Sequence, residues 1–377
     1  MKKILFLQLE SDAYGGVWFV NKTLGEKFAD LGYDVKLIGI RKRNSDVDLG
    51  TTSIKIETVN CVDKWVITHR RDVLNSLKEI KFFRTLYKYI IDLKKLKKDY
   101  NTLKSMIREY DPDYIIASHY GVLEGIPSEY LKRTIHIQHS SFKFIFSDSK
   151  NIKMLKRYNN KLFKLIWLSN SICKDAIEYG FTNSISIYNP TRFSADDIAD
   201  VVKNKKIVVV TRISYEKRLI DMLKAVNNVL EKHKDWKFEI YGTGEFDLES
   251  EKIIKINKNI IYKGKTDDIK KVFLSSSINL NTSEYEGFPL SVIEGLECGV
   301  PIISYNNSES INEEIKDEYN GYIVEYKNIK QFSEKLEYLI NNSDILNNMS
   351  KNAKEFSSRF SINTIIKEWE NLFNEME

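Results

Sequence analysis

Residues 278–304 read INLNTSEYEGFPLSVIEGLECGVPIIS, and this stretch decides the architecture. A short apolar run, Ile278–Asn281, leads into a Glu-Gly-Phe-Pro turn, an amphipathic segment and a second apolar run, Pro301–Ser304. Pro289 suits the first position of the intervening helix, where its missing N–H has no intrahelical partner to lose. Gly299 suits the position just past the helix end, where left-handed backbone is common. The stretch is one compact βαβ unit, the building block of a parallel sheet. Glu286 and Gly287 lie on the loop that leaves the first strand's carboxyl end.

The same alternation runs outward in both directions. Strands are predicted at Ile4–Leu9, Asp34–Ile40, Tyr114–Ser118, Thr134–Gln138 and Leu165–Leu168, with helices at Val17–Leu31 and from about Val73 to Tyr110. After a polar segment, Ser194–Lys206, a second series follows: Lys206–Thr211, Lys237–Tyr241, Ile260–Tyr262, Ile278–Asn281 and Pro301–Ser304. The fold class is α/β, with two doubly wound Rossmann-like domains facing a central cleft. Open sheets of this kind bind ligands outside the carboxyl ends of their strands.

Composition narrows the class. A chain of 377 residues, 42% hydrophobic and 29% charged, is long enough for two ordinary globular cores. A net charge of +5 is too mild to point to nucleic acid. Cys61, Cys173 and Cys298 are far apart and odd in number, which fits a reducing compartment rather than a disulfide framework. Gln8 and Glu10 interrupt the first apolar run, so it reads as a buried strand and not a signal peptide. No stretch reaches the length of a membrane span, and a cytoplasmic location is expected.

The cleft chemistry starts from the opening stretch. Backbone N–H groups after Gly287 stand at a helix N-terminus, a natural anion seat. Glu286 and Glu294 would repel a phosphate placed directly on them, but they suit hydroxyls on either side of it. A nucleoside diphosphate sugar has that layout. Positive charge comes from Ile207-Val-Val-Val-Thr-Arg-Ile-Ser-Tyr-Glu-Lys-Arg218, where Arg212 follows a buried strand and Lys217 opens the next helix. Arg218 is read as surface charge.

An Arg-x4-Lys turn followed about seventy residues later by Glu-Gly-Phe-Pro-Leu-x3-Glu resembles family 4 of the retaining glycosyltransferases, with its Glu-x7-Glu motif. Supporting matches are Tyr14-Gly-Gly-Val, His136-Ile-Gln-His-Ser-Ser, Ile187-Tyr-Asn-Pro, Tyr241-Gly-Thr-Gly-Glu, Lys263-Gly-Lys and Asn320-Gly-Tyr-Ile-Val. The resemblance implies the GT-B fold, with an acceptor-side domain at 1–190, a linker at 191–205 and a nucleotide-sugar domain at 206–355. Residues 356–377 would form a helix packing back toward the first domain. Arg212 and Lys217 would neutralise the diphosphate, Glu286 would meet the transferred sugar, and Glu294 the ribose. Gly287, Phe288, Pro289, Leu290 and Ser291 would complete the phosphate seat, while Gly242, Gly244 and the Gly264–Lys265 turn would border the base. His139 matches the family's active-site histidine. Gly15 and Gly16 would bring backbone to the donor phosphate and acceptor; their alternative reading is an ordinary tight turn. Arg218 departs from the glycine that often follows the lysine.

The expected reaction moves a sugar from a nucleotide donor, a UDP-sugar, to a hydroxyl of a glycan, glycolipid or wall polymer, with retention, in bacterial surface-polysaccharide assembly. No cofactor or metal is expected. Asp111-Pro-Asp113 precedes a strand instead of following one, and reads as a turn. His119 is read as a packing residue, His136 as a satisfied strand histidine, and His69 and His233 as surface. From Lys78 to Arg108 ten basic residues face three acids, with Phe82, Phe83, Tyr87, Ile90 and Leu93 interleaved. This segment is either a solvated helix face or a contact with the anionic inner face of the cell membrane. Two rival functions remain, a nucleotide-sugar epimerase and a non-catalytic glycan-binding subunit. Nucleic-acid binding rests only on the Lys-rich segment and is set aside.

Overall fold

The computed structural model describes residues 1–11, 15–42, 52–59, 82–141, 145–146, 149–306 and 310–377, with backbone alone at 82–95 and 149–150. Two parallel sheets result. The first contains β1 (Lys3–Glu10), β2 (Asp34–Arg41), β3 (Lys55–Thr58), β4 (Tyr114–Ala117), β5 (Thr134–Gln138), β6 (Lys164–Trp167) and β7 (Ser184–Ser186), in the order β3-β2-β1-β4-β5-β6-β7. The second contains β8 (Lys206–Val210), β9 (Lys237–Tyr241), β10 (Ile260–Gly264), β11 (Ile278–Asn281), β12 (Ile302–Tyr305) and β13 (Gly321–Val324), in the order β10-β9-β8-β11-β12-β13.

Both orders reverse direction once, beside the first strand: between β1 and β4, and between β8 and β11. Helices cover both faces, so a central strand must be apolar on both. In β1, Ile4 and Phe6 enter one core while Leu5 and Leu7 enter the other, all fully buried. That two-residue period is the strand's own geometry.

Four helices position the site: α1 (Gly16–Asp30), α2 (Phe82–Tyr110), α3 (Asn170–Glu178) and α4 (Leu290–Glu297). A fifth, α5 (Ile362–Asn374), returns the chain to the first domain. Its Ile365, Ile366, Trp369, Leu372 and Phe373 are buried at helical spacing. Phe373 stacks on Tyr114 with ring centroids 4.1 Å apart and meets Phe28 of α1 at 5.3 Å. The chain crosses between domains twice, and the crossings touch where Thr191 N donates to Phe360 O at 2.9 Å.

The structure departs from the sequence reading at several places. β3, β7 and β13 were not anticipated, because they are short edge strands recruited by a neighbour. The polar segment 194–206 contains a helical turn, Val201–Asn204, and buries Ala195, Ala199 and Val201 in the second core. Pro289 is the N-cap of α4 instead of its first helical residue, since its ψ of 111° is extended. Gly299, with φ +70°, follows the C-cap Cys298. Of the long basic helix, residues 73–81 lie outside the described residues, as do Tyr14, Cys61 and His69. So do the side chains of Phe82, Phe83, Tyr87, Ile90 and Leu93. Its last turns bury Leu103, Ile107 and Tyr110 in the first domain and leave Lys97 and Lys98 exposed. Among the described residues, no helix is long and apolar enough to cross a membrane.

Candidate functional site

The second sheet's reversal lies between β8 and β11, and the two loops leaving those strands are stitched together. Glu284 N donates to Glu216 O at 2.6 Å, and Thr282 Oγ1 to Lys217 O at 3.0 Å. These bonds set Lys217 against Glu286, and the two side chains form an ion pair at 12% and 16% exposure. Ser283 Oγ donates to the same carboxylate oxygen at 2.7 Å. A strand-end cation and a strand-end acid, 69 residues apart, thus share one point in the crevice. Arg212 stands farther out, 69% exposed, with Nη2 3.2 Å from Glu216.

Arg218 is not the surface charge expected of it. Its backbone takes φ +47°, the left-handed region that a glycine there would enter freely. Its side chain is only 16% exposed and forks onto Asp221 at 2.8 and 3.1 Å. The buried Asp221 needs that partner.

Gly242 and Gly244 bring the β9 loop against the Arg212 turn. Both have strongly positive φ, and an added Cβ would meet Thr211 O at 1.7 Å and Ile213 O at 1.9 Å. Gly242 N donates to Gly264 O at 2.8 Å, which ties the neighbouring turn in as well. Lys265 Nζ lies 3.3 Å from Asp267 at the outer surface.

Two helix N-termini meet across the cleft. Helix α1 begins after Gly15 and α4 after Pro289; neither has a side-chain cap or an acid in its first turn. A Cβ on Gly16 would lie 3.9 Å from Leu290 Cδ1, so the two ends are neighbours. Their unpaired N–H groups and dipole ends form a positive seat. Gly15 itself is extended, with open space beside it. Closure is tightest at Gly287, where a Cβ would fall 2.0 Å from the backbone oxygen of His139 in the opposite domain. Phe288 is buried between Tyr188 and Phe360, with ring centroids 5.4 and 5.5 Å away. Ser291 O accepts from Asn279 Nδ2 at 2.9 Å, which fixes the first turn of α4 to the sheet.

Glu294 is fully buried, and both of its oxygens are held by Arg192. This arginine was not singled out from the sequence. It lies in the junction between domains, and its guanidinium also sits 4.3 Å from the ring centroid of Phe19 in α1.

The opposite wall is largely uncharged at its carboxyl ends. Burial pushes the His139 imidazole down to about 3, helped by His136, and its buried Nε2 has no hydrogen-bond partner among the described residues. His136 is likewise pushed down to about 4 by burial; its Nδ1 lies 2.8 Å from Ala117 O. His119, also driven to about 3 by burial, accepts from Gly121 N through Nδ1 at 2.9 Å. A neutral ring is required there, because a protonated one has no acceptor. Beneath them Asn21 donates to Gln8 Oε1 at 2.7 Å and accepts from Ser118 Oγ at 2.8 Å. Farther along the same edge, Glu10 and Arg41 form a half-buried ion pair.

A second unanticipated acid locks the domains. Glu313 accepts from Asn170 N (2.9 Å), Ser171 N (2.7 Å), Ser171 Oγ (2.6 Å) and Tyr188 Oη (2.7 Å). It thereby caps α3 from the other domain. Burial opposes its ionisation, but these hydrogen bonds outweigh it and hold its carboxyl below the usual range. The adjacent Glu314 is fully buried, and burial, with Glu286 and Glu313 adding and a Ser310 hydrogen bond opposing, raises its pKa well above the usual value. No spacing in the sequence links residue 313 to 170, 171 and 188. Arg192 left a faint signal, a lone basic residue just after the Asn-Pro junction.

Asp111 and Asp113 face away from the cleft, where they accept from Tyr130 Oη and Lys3 N, each at 2.8 Å. His233 is 18% exposed and lies 3.6 Å from Glu337, so it is less superficial than expected.

Residues 193–356 match the family model of glycosyl transferases, group 1, which spans the second sheet and its helices. An uncharacterized glycosyltransferase of Haemophilus influenzae is 25% identical over 99% of this chain and 100% of its own length. A poly(ribitol-phosphate) alpha-N-acetylglucosaminyltransferase of Staphylococcus aureus is 26% identical over 64% of this chain and 50% of its own length. A solved S. aureus TarM variant, in complex with fondaparinux, alpha-GlcNAc-glycerol and UDP, superposes with a TM-score of 0.76. That match covers 99% of this chain and 100% of the other at 17% identity, a likeness of fold. The architecture is GT-B, and its second half matches the model of the group 1 glycosyl transferases.

Proposed function

We propose that the protein is a retaining glycosyltransferase of family 4, moving a sugar from a UDP-sugar to a hydroxyl of a glycan, glycolipid or wall-polymer acceptor in bacterial surface-polysaccharide assembly. The observation that carries this reading is the Lys217–Glu286 pair at the sheet reversal, set beside two uncapped helix N-termini. Lys217, Arg212 and the helix-end N–H groups hold the diphosphate and stabilise it as it departs, the step in which charge separates most. Glu286 then accepts from hydroxyls of the transferred sugar, and Glu294 from the ribose. Gly242, Gly244 and Lys265 border the base.

His139, held neutral, offers a hydrogen-bonding nitrogen beside the transferred sugar without adding charge. The acceptor hydroxyl attacks from the face the diphosphate leaves, and its proton passes to the departing phosphate oxygen. The cations take the part that a metal plays in other transferases, so no metal is required. The S. aureus relative, named for a poly(ribitol-phosphate) acceptor, supports an anionic wall polymer. The basic segment Lys78–Arg108 would rest on the cytoplasmic membrane surface, where lipid-linked acceptors are presented.

The deciding experiment incubates the purified chain with a panel of nucleotide sugars, with and without acceptor glycans and with and without chelator. Product configuration is read by NMR. Transfer to a hydroxyl with the donor's anomeric configuration, undiminished by chelator, is expected. Donor conversion to another sugar nucleotide without any acceptor would make it an epimerase, and donor binding without turnover a glycan-binding subunit.

A further inference from the structure

Helix α4 carries two buried carboxylates one turn apart, and they are satisfied in different ways. Glu297 is held on both oxygens by three donors: it accepts from Ala195 N at 2.9 Å, Lys354 Nζ at 2.7 Å and Ser357 Oγ at 2.8 Å. Those partners come from the linker, the second domain and the start of the returning segment, away from the cleft pair of Lys217 and Glu286, so Glu297 is a structural group. Among the described residues Glu294 has a single partner residue, Arg192, whose Nε and Nη2 each take one oxygen. A carboxylate offers about four lone-pair directions, so a two-point fork leaves one on each oxygen. A pair of adjacent hydroxyls, such as those of a ribose, matches that remainder.

The other side of Arg192 is equally specific. Its guanidinium packs over Phe19, at 4.3 Å from the ring centroid, and Phe19 lies in the first turn of α1. One side chain therefore spans from the helix end of the acceptor-side domain to the buried acid of the donor-side domain. It starts from the junction where the chain passes between them. Arginine suits this place because its planar fork fixes a carboxylate in two dimensions while its face rests on an aromatic ring.

We propose that Arg192 is a positioning residue for the donor: it neutralises and orients Glu294 so that the remaining lone pairs of that carboxylate read the two ribose hydroxyls, while Phe19 of the opposite domain holds the other face of the guanidinium. The inference rests on the donor reading given above. An opposite arrangement, with Arg192 plugging the ribose seat until the donor displaces it, makes the reverse prediction for its removal.

The test measures binding of UDP, 2′-deoxy-UDP and 3′-deoxy-UDP by calorimetry to the full chain and to Arg192→Met and Arg192→Lys. Thermal melting confirms that each variant is folded. The unsubstituted chain should prefer UDP over each deoxy analogue about 10-fold or more, as expected for hydrogen bonds to a charged group. In Arg192→Met, UDP binding should weaken by about 10- to 100-fold, and the preference for intact ribose should shrink toward one. Arg192→Lys, which keeps charge without the fork, should restore part of the affinity but little of the discrimination. Were Arg192→Met unfolded, the lysine variant alone would decide. Retention of the full ribose preference in either folded variant, or tighter UDP binding on removal, would overturn the role given to Arg192. Absence of any ribose preference in the unsubstituted chain would instead overturn the assignment of Glu294, and with it this inference.

Discussion

On the donor wall three acids at the cleft are each matched to a cation: Glu286 to Lys217, Glu216 to Arg212, and Glu294 to Arg192. On the acceptor wall the carboxyl ends of β4 and β5 present His119, His136 and His139, all held neutral, over a bed of Gln8, Asn21 and Ser118. Both walls use the same strand–loop–helix unit, so the contrast comes from side chains alone. In the proposed reaction a departing diphosphate needs fixed positive charge, and the wall that carries Lys217 and Arg212 would keep it in place before the donor arrives. An attacking hydroxyl needs orientation without a competing field, and the acceptor wall offers hydrogen-bonding nitrogens without charge.

The sharpest way to break that contrast is to remove the buried cation. Lys217→Ala leaves Glu286 half-buried beside Ser283 with no countercharge. Turnover at saturating substrates should fall about 100- to 1,000-fold, the usual loss when one preorganised charge-stabilising group is deleted. UDP affinity, measured separately, should fall less. Arg212, exposed and paired only at the surface, should cost less on the same substitution. Equal losses at Arg212 and Lys217 would show that burial does not distinguish them and would remove the crevice pair from the account.

A second substitution tests whether the walls must meet. Gly287→Ala places a methyl 2.0 Å from the His139 carbonyl oxygen and 2.9 Å from its carbon, and backbone cannot yield as a flexible side chain would. The domains then have to part. Turnover should drop about 10- to 100-fold, because reacting groups displaced by even an ångström lose most of their advantage. Small-angle scattering should show a wider particle. Gly15→Ala, extended and with open space around it, should cost distinctly less. A compact, fully active Gly287→Ala variant would mean that closure at this point is incidental.

How much of this was legible in the sequence depends on what kind of contact is asked about. The central strands announce themselves, because a strand buried on both faces must be a continuous apolar run, as at Ile4–Leu7 or Ile207–Val209. The edge strands β3, β7 and β13 do not, since their pairing is imposed by a neighbour and not by their own pattern. Arg212, Lys217 and Glu286 could be singled out as candidates because they are charged residues at the carboxyl ends of buried strands, and His139 because the family resemblance marks it. Their partners could not. Nothing in the spacing brings Arg192 to Glu294, or Glu313 to the start of α3, because those contacts arise only once two separately folded sheets close on each other. Arg218 shows the same limit: its left-handed backbone and its hold on Asp221 are consequences of the turn, invisible in a row of charges.

The neutral wall has a signature of its own in the pH dependence of stability. His119 and His139, at about 3, and His136, at about 4, are depressed from an unfolded value near 6.5. Above pH 6.5 folded and unfolded chains are alike neutral at these positions, and their full contribution is present. As pH falls below 6.5 the unfolded chain takes up protons that the folded chain refuses, and stability is lost progressively down to pH 3–4. Each such group changes stability by at most about 1.4 kcal/mol per pH unit. Between pH 6.5 and 5 the paired carboxylates, Glu313 among them, have not begun to protonate, so the histidines dominate that window. Two groups run the other way: Glu314 and Glu368 are both raised by burial, so their penalty is relieved as pH falls toward the unfolded value. The melting midpoint should therefore drop by a few degrees between pH 7 and pH 5, measured by differential scanning calorimetry. His139→Gln should flatten that slope. Glu314→Gln should steepen it while raising the midpoint at pH 7, since it removes one of the opposing groups. A flat profile in all three chains would show that the acceptor wall exchanges protons freely and is not the neutral surface that the contrast requires.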